Sequence, residues 1–186
     1  MKLFKKKTNV QNDEWKFWDF YDEEDFYGLN FLDATYLDPA NQKGFKKEYY
    51  LKVHIPETKQ VDGKFITPEA NTELQKLEDK LIESLEANKV NCKQVHRCIY
   101  YGAKRMLFEV SDIADFEECL NKWETTLQDY NLEVIEDKPW ETYNEILPDE
   151  YAWQQMGNRQ VCENLLKHGS NPKKIHIIEP AIFGNQ

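Results

Sequence analysis

Long apolar runs are missing from this 186-residue chain, and no segment approaches the roughly 18 consecutive apolar residues that a membrane-crossing helix needs. The opening MKLFKKKTNV has the lysines of a secretory leader without the apolar stretch that follows them in one. A cytoplasmic protein with no membrane contact is therefore expected. Serine occurs only at Ser84, Ser111 and Ser170, none of them in a nucleophile-elbow context, which leaves acyl transfer without its usual nucleophile. The four cysteines, Cys92, Cys98, Cys119 and Cys162, form no Cys-x-x-Cys pair, so each is expected to be a small buried hydrophobe in a reducing compartment. Positive charge is in deficit, with 24 basic against 34 acidic residues and a net charge of −10, which repels a phosphate backbone and argues against direct nucleic-acid contact. The acidic cluster Asp22 to Asp25 lacks the Asp-x-Asp-x-Asp-Gly spacing of a calcium loop and reads as a solvated turn. No metal and no cofactor are expected.

Packing material is nonetheless present. Leu, Ile, Val and Phe make up about a quarter of the chain, and 10 Phe, 10 Tyr and 5 Trp carry much of the packing. The aromatic runs on either side of Asp22 to Asp25 predict a β-hairpin. In EYYLKVHIP, Tyr49, Leu51, Val53 and Ile55 face one way and Tyr50, Lys52 and His54 the other, as in a half-buried strand. Thr67 and Pro68 supply a cap and a first turn for a helix bearing Leu74, Leu77, Leu81, Ile82 and Leu85 at helical spacing. VNCKQVHRCIYYGAKRMLFEV predicts two strands around a two-residue type II′ turn with Gly102 and Ala103 at its centre. A second helix begins near Ser111 to Asp115 and buries Phe116, Leu120, Trp123 and Leu127, and YNLEVIE follows as a strand.

The order strand, helix, strand, strand, helix, strand over residues 48–136 is that of a ferredoxin-like α+β unit, an antiparallel sheet with both helices on one face. The other face is expected to be open, with the N-terminal hairpin extending the sheet or covering that face. A third helix is expected from about Asp149 to His168, with Gly157 allowing a kink, Gly169 as its stop and KIHIIEPAIF as a last strand. The division is a flexible start over 1–13, an α+β domain over 14–148 and a helix-strand segment over 149–186.

A turn centred on Gly102 and Ala103 sets His96 opposite Glu109 and Tyr100 opposite Arg105. It gathers Tyr50, His54, His96, Tyr100, Arg105 and Glu109 on the open face as the candidate binding set. A protein partner, unidentified, is the leading expectation there. The alternative is a small-molecule-binding or hydrolytic enzyme using His54, His96, Tyr100 and Glu109, in which a histidine beside a carboxylate serves as general base. Cys92, His96 and Cys98 share a face in the same register, but about 20 Å of strand separates the two cysteines, too far for a shared ion. Arg97 falls among apolar neighbours. Either Glu78 or Asp79 on the first helix pairs with it, or its side chain reaches the sheet edge.

LEDKL at 77–81, HRCIYYGAKRMLFEV at 96–110 and DKPWETYNEILP at 137–148 resemble the bacterial domain-of-unknown-function family 695. The resemblance covers roughly residues 14–148. It implies an intracellular domain of no settled activity, with Glu78, Asp79, Arg97, Gly102, Arg105, Trp140 and Tyr143 as motif positions. NRQVCENLLKHGSNPKKIHIIEPAIF resembles the first helix and strand of the ribonuclease E inhibitor family, regulator of ribonuclease activity B. That likeness implies an interaction or regulatory role linked to RNA-processing enzymes. Pro180 and Ala181 depart from that family's pattern, and most of its unit would lie beyond Gln186. Either this second unit is incomplete or its helix and strand join the first sheet.

Overall fold

The computed structural model describes residues 15–21, 27–61, 65–169 and 171. The chain divides into two units, residues 1–147 and 148–186.

In the first unit, β1 (Trp15–Tyr21) and β2 (Tyr27–Asp33) form the expected hairpin, whose acidic turn lies outside the described residues. Two short 3-10 turns span Ala34–Leu37 and Pro39–Gln42, opened by the side chains of Asp33 and Asp38. Next come β3 (Lys47–His54) and a small ribbon of β4 (Gln60–Val61) and β5 (Phe65–Ile66). Helix α1 (Pro68–Ala87) begins where Thr67 Oγ1 accepts from the Ala70 amide at 3.2 Å. Strands β6 (Cys92–Tyr100) and β7 (Ala103–Val110), helix α2 (Ile113–Glu124), strand β8 (Asn131–Asp137) and the short helix α3 (Glu141–Glu145) follow.

The six long strands pair antiparallel in the order β1-β2-β6-β7-β3-β8. Within it, β3-α1-β6-β7-α2-β8 is the expected ferredoxin-like arrangement, and the N-terminal hairpin extends the sheet beyond β6. Both helices bury their stripes against one face. Leu74, Leu81 and Leu85 of α1 and Phe116, Leu120 and Trp123 of α2 meet Tyr49, Leu51 and Val53 of β3 and Met106, Phe108 and Val110 of β7. Each fully buried side chain of this size stabilises by about 1.5–3 kcal/mol, and truncating Leu81 to Ala would cost about 2–5 kcal/mol.

The β6–β7 turn differs from expectation. Its central residues are Tyr101 and Gly102, both at positive φ (50° and 64°), a type I′ geometry rather than II′ at Gly102 and Ala103. The end of β3 anchors it. The Ile55 amide donates to the Gly102 carbonyl at 2.8 Å, and Gln60 Nε2 lies 3.2 Å from where a Cβ on Gly102 would sit. Tyr100 therefore opposes Ala103, Cys98 opposes Arg105 and His96 opposes Leu107. Moving the turn centre by one residue shifts both strands together, so β7 and residues 96–100 keep their expected faces while every cross-strand partner changes.

A bulge between Gln94 and His96 then turns Gln94 and Cys92 to the helix side. Cys92, His96 and Cys98 do not share a face, and burial pushes the Cys92 thiol up to about 12 and Cys98 to about 11. All four cysteines are free thiols, Cys98 and Cys119 buried and the other two partly so.

The second unit contributes α4 (Glu150–Lys167), capped by Asp149 Oδ1 on the Ala152 amide at 2.8 Å. It passes through Gly157 as one continuous helix, without the break that Gly157 allowed, and Gly169 at φ 80° ends it. The expected strand KIHIIEPAIF and the expected flexible start lie outside the described residues. Among the described residues no helix is long and apolar enough to cross a membrane.

Candidate functional site

The sheet face away from α1 and α2 carries the candidate binding set, but only half of it is open. Over the ends of β3 and β7 that carry Glu48 and Glu109, the 3-10 turns and α3 pack on the face. Trp140 stacks on Tyr36 at 5.1 Å and meets Tyr143 edge-on at 5.2 Å. Its indole N–H donates to the Gln42 carbonyl at 2.9 Å, and the Tyr143 hydroxyl donates to the Asp33 carbonyl at 2.9 Å. Trp140 and Tyr143, family-motif positions in the sequence, are thus the pieces that close this end.

Beneath them lie two carboxyl groups with no exposure to solvent, Glu48 and Glu109. Glu48 accepts from the amides of Thr142 at 2.7 Å and Tyr143 at 3.1 Å, and Glu109 Oε1 accepts from the Trp140 amide at 2.8 Å. Glu109 Oε2 meets no N–H donor among the described residues. Burial and then a hydrogen bond with Glu48 push Glu109 up to about 9, so this acid keeps its proton at ordinary pH. Glu109 is therefore a structural acid opposite Lys93 and Glu48, not the neighbour of His96 that was expected.

His96 is also sealed, at 1 % exposure. Its Nε2 lies 2.9 Å from Asn30 Oδ1, and its Nδ1 has no hydrogen-bond partner among the described residues. Burial first, and the Arg105 charge second, lower it to about 3, which keeps the ring neutral at ordinary pH. A histidine so disarmed and shut from solvent takes no proton from a substrate.

The other four expected residues do come together. Toward the C-terminal end of β3, Lys52, His54, Arg105 and Glu133 line an open concavity of about 700 Å³, with Tyr101 at its edge. Glu133 accepts from Lys52 Nζ and from His54 Nε2, each at 3.0 Å, and these contacts hold its carboxyl below the ordinary range. Arg105 lies over the Tyr100 ring at 4.7 Å, and Lys52 lies over Tyr50 at 5.7 Å. Burial pushes the Tyr50 hydroxyl up to about 12, with Arg105 opposing the rise. Arg105 Nε is buried and makes no hydrogen bond among the described residues. With Glu57 at the rim, Lys52 and Arg105 stand against Glu57 and Glu133, beside His54. Tyr101, Gln60 and Glu133 escaped the sequence reading; the signal for Tyr101 was its place in the turn.

On the helix-covered face, Arg97 finds Glu78, with Nη1 3.5 Å from Oε1. Asp79 instead accepts from Gln75 on the helix surface at 2.9 Å. Glu78 also bonds Lys104 Nζ, and it accepts from Gln94 Nε2 at 2.7 Å. Lys104 lies on the same face of β7 as Met106 and Phe108 and is only 5 % exposed. The guanidinium of Arg97 lies 5.0 Å from the Phe31 ring and 5.5 Å from that of Trp15. No three His, Cys, Asp or Glu among the described residues are grouped to hold a metal ion.

Neither curated proteins nor solved structures give a significant match to this chain. The model of a family of unknown function, DUF695, matches residues 13–148, over the stretch that holds the sheet, both helices and the closing Trp140 and Tyr143, and the chain belongs to that family.

Proposed function

We propose that this chain is a non-enzymatic binding domain whose open half-face, around Arg105, His54, Lys52 and Tyr101, receives a segment of a protein partner. The observation that carries this reading is the sealing of the two groups that acid–base chemistry would use. His96 is buried against Asn30, and Glu109 is buried and protonated beneath Trp140. What remains at the surface is an aromatic and arginine patch of the kind that dominates protein interfaces: Tyr101 half exposed and Tyr100 under Arg105. The partner segment would bring a carboxylate to Arg105, and raised salt would weaken the contact. The resemblance of residues 158–183 to the ribonuclease E inhibitor family makes an RNA-processing enzyme the first partner to try.

The test is affinity capture with the wild-type chain and with the double variant Arg105→Ala, Tyr101→Ala as baits, at low and high salt. A partner held by the wild type at low salt and lost with the double variant is expected. An identical set on both baits, or a hydrolytic turnover abolished by His96→Ala, would overturn the reading.

A further inference from the structure

We propose a second site on the opposite face: the groove between α1 and the β2–β6 pair binds a medium-chain carboxylate, its anionic head at Arg97 and Lys104 and its apolar tail along Leu29 and Ile99. The two sites meet at Tyr101, which lies at the edge of both, and the reading of the open half-face does not depend on this one.

The extension of the sheet creates this groove. Helices α1 and α2 cover the ferredoxin-like strands, whereas β1 and β2 reach beyond α1 and leave a trough along it. At its closed end is a recess of about 270 Å³, walled by Leu29, Phe31 and Ile99 and floored by Arg97 and Lys104. Asn71 and Gln75 of α1 complete the wall with two carboxamides. A second recess of about 390 Å³ shares Leu29, Asn71 and Ile99 with the first and continues past Phe65 and Ile66 of the β4–β5 ribbon to Tyr100 and Tyr101 at the β6–β7 turn. The joined groove falls in the size range of small-molecule sites, roughly 300–1,000 Å³. It carries its cations at one end, and Leu29, Ile99, Ile66, Phe65 and Pro68 with the Tyr100 and Tyr101 rings toward the other.

Charge selects the head group. Among the described residues neither recess has a carboxylate in its wall. Glu78, the acid behind the floor, is shared between Lys104 and Arg97, so two cations answer to one buried anion. Of the other acids, Asp33 and Glu86 line the recess on the far side of Arg97, away from this groove. Asp33 accepts from the Thr35 amide at 3.0 Å, and Asp79 accepts from Gln75. The Arg97 side chain is 36 % exposed and its Nη1 lies 3.5 Å from Glu78, while the guanidinium fork has further N–H donors to offer an acceptor. A carboxylate oxygen supplies one, and a guanidinium held against two aromatic rings is already oriented to receive it.

The tail follows from the walls. Leu29, Ile99, Ile66 and Phe65 offer apolar contact to an unbranched chain that leads away from the cations, and Phe65 is half exposed.

The experiment is calorimetric titration of the full chain with octanoate, with octanol and acetate as controls. Octanoate is expected to bind at one site per chain, at least about 10-fold more tightly than either control, and Arg97→Met is expected to weaken it by about 10-fold or more. Ile99→Trp, which fills the groove, should abolish binding. Amide shifts on adding octanoate to ¹⁵N-labelled wild type place the site independently of how the variants fold, and changes centred on residues 29–31 and 97–104 are expected. No binding, octanol equal to octanoate, an unaffected Arg97→Met or shifts centred elsewhere would each overturn the proposal.

Discussion

Replacing Glu109 by Gln isolates the proton that this buried acid keeps. In the folded chain Glu109 keeps its proton up to about pH 9, whereas unfolding returns it to the ordinary value of 4.5. The folded state thus binds more protons across this interval. The stabilising contribution is complete below the unfolded value and is lost as pH rises toward 9. His96 acts with the opposite sign: its folded value of about 3 lies below the ordinary 6.5, so it contributes above pH 6.5 and that contribution is lost as pH falls toward 3. The two slopes cancel where they overlap, and only Glu109 remains between about pH 6.5 and 8.5. One proton over two pH units is about 2.7 kcal/mol, or a fall in the thermal midpoint of roughly 5–11 °C for a unit of this size. Glu109→Gln presents an amide N–H to Glu48 in place of the acid O–H and a carbonyl to the Trp140 amide, and it cannot ionise. Thermal melts followed by circular dichroism should show the wild-type midpoint dropping across this window while that of Glu109→Gln stays nearly level. Parallel curves for the two proteins would refute the retained proton.

Glu78→Gln leaves the buried Lys104 without its carboxylate, and urea unfolding should show a loss of about 3–5 kcal/mol. Arg97→Met should cost less, because Arg97 is partly exposed and leaves Glu78 still paired with Lys104. Tyr143→Phe strips the Asp33 carbonyl of its hydroxyl donor at the closed end of the second face, for a loss of about 1–3 kcal/mol in the same measurement. Gly157→Ala meets no atom within 4 Å in the middle of α4, so the helicity of that segment should rise and its stability should increase by about 0.5–1 kcal/mol, read by circular dichroism.

The core was legible because its periods are clean. Tyr49, Leu51 and Val53 alternate, and Leu74, Leu81 and Leu85 fall on one helical stripe. The same stripe held a signal that went unused. Glu78 sits between Leu74 and Leu81 on the buried face, and Lys104 alternates with Met106, Phe108 and Val110, so each demanded an opposite charge inside. The β6–β7 register was not legible from Gly102 alone. A type I′ turn with Tyr101 in the left-handed region is set by Ile55 and Gln60 from a neighbouring strand, a contact that no local pattern announces. The closed half of the second face was hidden for a similar reason: Trp140, itself at φ 70°, is brought onto it by hydrogen bonds to Glu109 and Gln42, far away along the chain. Four of the six expected binding residues still met at the open half, because moving the turn by one residue preserves the alternation of side chains.

The reading as a binding domain rests on a second face that keeps its acid–base groups out of play, and the imidazole of His96 reports on this directly. Nitrogen chemical shifts of the ¹⁵N-labelled histidine rings, followed from pH 8 to pH 5, should show His96 as a neutral ring throughout, with no proton gained. A His96 ring that takes up a proton with a midpoint between pH 5 and 7 would mean that the group is open to solvent and available for chemistry, contrary to the structure described.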